Sequence, residues 1–68
     1  MVIANDQELA VTQQRLRQFQ DLLLRLRQSE TAENYVLMAN AYLLEIDKMN
    51  EEVRHYLASP PPRLTEAA

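Results

Sequence analysis

Glu52 and His55 are the residues whose types and spacing first suggest chemistry. A Glu-x-x-His step puts both side chains on one helical face. In carboxylate-bridged four-helix bundles, two such steps and one glutamate from each of the other two helices hold a pair of irons. A dimer of this chain would supply two copies of the step. The complementary glutamates are missing, because the first helical segment has none beyond Glu8 and its Asp21 falls opposite the apolar stripe. His55 also stands off the apolar line that carries Val53 and Tyr56. It reads as a surface histidine beside Glu51 and Glu52, and a metal-carboxylate bundle using Glu52 and His55 is the alternative reading.

Other chemistry finds less support. Ser29, Ser59 and the threonines have no histidine in an evident shared pocket, so no nucleophile and base can be paired and no catalytic residue is assigned. The chain has no cysteine and no glycine, which excludes disulfide scaffolds, zinc ribbons, thiol enzymes and the glycine loops that cradle phosphates. Arg15, Arg17, Arg25 and Arg27 point in several directions around a helix, and the net charge is −3. A nucleic-acid binder needs a clustered basic face, so direct nucleic-acid binding is not expected. No stretch is long and apolar enough to span a bilayer, the stronger apolar helix is acidic, and residues 1–10 carry acids where a signal peptide carries bases. The expectation is a cytoplasmic protein without membrane contact, and with no cofactor.

The elements that would position these residues are helices. From Asn5 to Gln28 there is no proline, and Leu9, Leu16, Phe19, Leu23 and Leu26 recur at helical steps. Asn5 and Glu8 form a capping-box pattern, and Thr12 offers a later start. Ser29, Glu30 and Thr31 break the pattern, and Ser29 or Thr31 can cap a second helix. That helix carries Tyr35, Ala39, Tyr42, Ile46, Met49, Val53 and Tyr56 at steps of four and three throughout. The prolines at 60, 61 and 62 stop it. The spacing predicts an all-α chain: helices over about 5–28 and 31–58 forming an antiparallel hairpin (residues 1–58), then a Pro-rich flexible tail over 59–68. The tyrosines fall on the seam and read as core residues, not as a stacking platform.

Some apolar residues are not needed by that seam: Leu22 and Leu24 on the first helix, and Val36, Leu37, Met38, Ala41, Leu43, Leu44 and Leu57 on the second. Leu37, Ala41 and Leu44, at i, i+4 and i+7, share a face turned away from Tyr42 and Ile46. An apolar patch of that extent calls for a cover. At 68 residues, burial contributes on the order of 100 kcal/mol and chain ordering costs about the same, so a lone chain has little margin. A second copy, forming a homodimeric four-helix bundle, is the expected cover. Charge agrees, since the first helix is rich in arginine and the second in glutamate and aspartate.

Asn5-Asp6-Gln7, Thr12, Gln18-Phe19-Gln20 and Leu23 resemble the helical segment that opens bacterial antitoxin-like regulators of the HigA/XRE type. The resemblance covers the first third of the chain. Pro60 to Pro62 stand where the helix-turn-helix of those relatives would begin. It implies a small bacterial accessory protein, an antitoxin or regulator subunit, with Leu16, Phe19 and Leu23 on an interaction helix and a toxin or regulator as protein partner. The sequence as a whole predicts a non-enzymatic dimerisation and protein-interaction module. A structural linker subunit of a larger assembly is the remaining alternative.

Overall fold

The computed structural model describes residues 2–61. Two helices account for most of them: α1 (Asp6–Ser29) and α2 (Ala32–Ala58), packed against one another, with no strand among the described residues. At about 1.5 Å per residue they are roughly 36 and 40 Å long.

Each helix begins where its side chains can satisfy the free N–H groups of the first turn. The Asn5 side-chain oxygen accepts from Glu8 N at 2.8 Å, and Glu8 reaches back to accept from Ala4 N at 2.8 Å. The return bond lands one residue earlier than a strict capping box, at Ala4 instead of Asn5. Thr31, not Ser29, caps α2, accepting from Asn34 N at 3.2 Å. Ser29 stays in α1, its hydroxyl donating to Arg25 O at 3.2 Å.

The connection is two residues, Glu30 and Thr31, both extended, at φ −105°, ψ 158° and φ −66°, ψ 160°. Neither needs a left-handed backbone, and no described residue has positive φ. A reversal built this way has no use for glycine, which explains how a chain without any can close a tight hairpin. Beyond Ala58, Ser59 donates its backbone N–H to Tyr56 O at 3.1 Å and its hydroxyl to His55 O at 3.1 Å. The proposed tail lies outside the described residues from Pro62 onward.

Leu23, Ala39 and Ile46 form the buried centre, with Leu16, Phe19, Leu26, Tyr35 and Tyr42 packed around it. Met49 is buried further along the same line, and Leu9, Val53 and Tyr56 are half-buried towards the open end. Phe19 meets Tyr42 with ring centroids 5.7 Å apart, and the Arg27 guanidinium lies 5.5 Å from the centre of the Tyr35 ring. Two buried residues lie outside the apolar lines read from the sequence. Thr12, 3% exposed, occupies the seam between Leu9 and Leu16 instead of starting a helix. Its hydroxyl donates to Glu8 O at 2.9 Å, which removes the cost of burying it. Ile3, ahead of α1, is buried as well.

Candidate functional site

The site is a surface left over once the seam has closed. Packing two helices together covers one stripe of each, and α2 carries more than one stripe of apolar side chains. Leu37 and Leu44 are 73% and 70% exposed, and Ala41 between them is exposed too. On one flank of the seam, Val36, Leu43 and Leu57 are exposed at intervals of seven and fourteen residues, and Leu24 is exposed on α1. Met38 is exposed on the opposite flank, while Leu22 is half-buried. Val11 and Val2, which lie off the sequence-derived lines, are exposed as well.

Glu52 and His55 come to a different setting. His55 is exposed, and Glu52 is half-buried in a shallow groove that Arg15 and Lys48 also line. Among the described residues, no three histidine, cysteine, aspartate or glutamate side chains come together as a metal-holding group. A second open groove, of about 550 Å³, runs between the Val2–Ile3 segment and the outer face of α2 at Lys48, Glu51 and His55. Its mixture of one wall of aliphatic side chains and one of solvated charges offers no converging set of donors. Among the described residues no helix is long and apolar enough to cross a membrane.

One polar contact ties the ends of the hairpin together. The Tyr56 hydroxyl, near the end of α2, donates to the Asp6 carboxylate in the first turn of α1. That hydrogen bond is the chief reason the Tyr56 phenol is pushed above the ordinary tyrosine range, with slight desolvation and the Asp6 charge adding to it. A raised folded-state value means that the stabilisation is complete below the unfolded tyrosine pKa and disappears as pH rises through the folded one. In a difference titration of wild type against Tyr56→Phe, followed by phenolate absorbance, the missing phenol is expected to ionise above the ordinary range. The thermal stability of the two proteins should converge at strongly alkaline pH. A phenol ionising at or below the ordinary value would show that the clasp is not formed.

No protein-family model matches the chain, and neither a curated protein nor a solved structure matches it.

Proposed function

We propose that the chain is a non-enzymatic interaction module that works as a homodimer, two hairpins closing into a four-helix bundle. The observation that carries this reading is the exposure of Leu37, Leu44, Val36, Leu43 and Leu57 on the outer side and flank of a helix whose inner face is already filled. Burying one leucine is worth about 1.5–3 kcal/mol. A symmetric contact counts each residue within it twice. Two helices alone give a thin core with three buried residues at its centre, Leu23, Ala39 and Ile46, and association supplies the burial that a small chain lacks.

Sedimentation velocity and light scattering at low micromolar concentration test the reading, and a dimer of helical protein is the expected result. Leu43→Asp should keep the helical circular-dichroism signal at high protein concentration and raise the dissociation constant by at least about tenfold, since both copies lose a leucine contact. A fully helical wild-type monomer at that concentration would refute the proposal.

A further inference from the structure

The flank of α2 beside the seam carries Val36, Leu43, Asn50 and Leu57 at intervals of seven, all exposed. Asp47 and Arg54 fall between them on the next row outward, and both are exposed. Together these residues make a second seven-residue seam on a helix that already spends its first one on α1. We propose that a second copy of this chain docks over Leu43, Asn50 and Leu57 with its α2 antiparallel, the two-fold axis passing beside Asn50. This rests on the homodimer reading and adds to it the face, the orientation and the register.

The sequence of the flank is complementary to its own reversal about Asn50. Reversal places Leu43 against Leu57 of the second copy and Leu57 against its Leu43. Asn50 meets Asn50, where two side-chain amides can each donate and accept. Asp47 comes within one residue of level with Arg54 of the second copy, an axial offset of about 1.5 Å that two long side chains on the outer row can span, and Arg54 does the same with its Asp47. A contact made twice by symmetry is the signature of an isologous interface. Neighbouring registers fare worse. Sliding one heptad towards the turn sets Leu43 against Asn50 and brings Asp47 within one residue of its own copy. Sliding a second heptad sets Val36 against Asn50, leaving an amide facing a hydrocarbon. Charge and apolar matching therefore choose the same register, and a lone asparagine in an apolar line is a known means of fixing one.

The chain has no cysteine, so single cysteines report the geometry directly. Asn50 is exposed in the hairpin, and Asn50→Cys should retain wild-type helicity and form a disulfide-linked dimer under mild oxidation. Leu43→Cys alone should not cross-link, because its two copies would lie 14 residues apart, roughly 21 Å along the axis and far beyond disulfide reach. Mixed Leu43→Cys and Leu57→Cys proteins should cross-link with each other. Separately, Asp47→Arg and Arg54→Asp should each weaken the dimer about tenfold, and the double exchange should restore it. Cross-linking of Leu43→Cys with itself as readily as Asn50→Cys would mean parallel docking and overturn the proposal. A wild-type dimer whose Asn50→Cys form never cross-links would overturn this face while leaving the homodimer reading intact. A monomeric wild type would overturn both.

Discussion

Ile46→Asp is expected to abolish the cooperative thermal transition and most of the helical signal at neutral pH. Ile46 is 7% exposed in the middle of the seam, part of the buried cluster with Leu23 and Ala39. The substitution removes about 1.5–3 kcal/mol of apolar burial and asks an ionised carboxylate to sit where water cannot reach, at a further penalty of several kcal/mol. At roughly 0.05–0.15 kcal/mol per residue, a chain of 68 residues has no more than about 10 kcal/mol to lose. Circular dichroism against temperature checks this, with Ile46→Val as the control that should cost only about 0.5–1.5 kcal/mol. Because a buried carboxyl prefers to be neutral, some helicity should return to Ile46→Asp on acidification. An unchanged melting curve would show that α1 and α2 do not pack through this position.

The second large effect is expected at the smallest seam residue. Ala39 is 2% exposed, lower than Leu23 or Ile46 beside it. A methyl group there sets how closely the helices approach in the third of the hairpin nearest the turn. Ala39→Leu adds three carbons to a filled space, and overpacking of that kind costs about 1–3 kcal/mol. For a small domain each kcal/mol is worth roughly 4–8 °C in Tm. The measurement is the melting temperature of Ala39→Leu beside that of Asn40→Leu, one residue on and exposed, which should leave Tm nearly unchanged. Equal melting temperatures for both would mean that Ala39 is not in a tight contact.

The hairpin was legible because its signal is redundant. Tyr35 to Tyr56 repeat the same two steps along α2, and losing any one of them would leave the pattern readable. In α1 the line contains a seven-residue step between Leu9 and Leu16, and hydrophobicity alone passes over the residue that fills it. Thr12 is polar by type, yet the i−4 bond to Glu8 O makes it apolar in effect, so the gap itself was the clue. Ile3 carried no clue of any kind, since burial ahead of a helix depends on where the chain enters and not on periodicity. The choice between Ser29 and Thr31 as cap depended on which residue was extended, and both types cap equally well in principle. The candidate surface was legible for a simpler reason. Apolar residues in excess of one helical stripe have to lie outside it, and Leu37 and Leu44 do. Which cover they take is written in the pairing of side chains across a contact, and a single chain displays only half of that pairing.

The clasp between Tyr56 and Asp6 holds the beginning of α1 beside the finish of α2, far from Glu30 and Thr31. Whatever polypeptide is fused ahead of Asn5 or behind Ser59 therefore departs from one pole of the rod, and the opposite pole stays bare. With two copies docked antiparallel about Asn50, the open ends overlap, so such attachments would leave on either side of the two-fold axis, about 27 Å apart, with the two bare turns at the far poles. Fused to a cargo, the pair becomes a strut that holds two loads a fixed span apart.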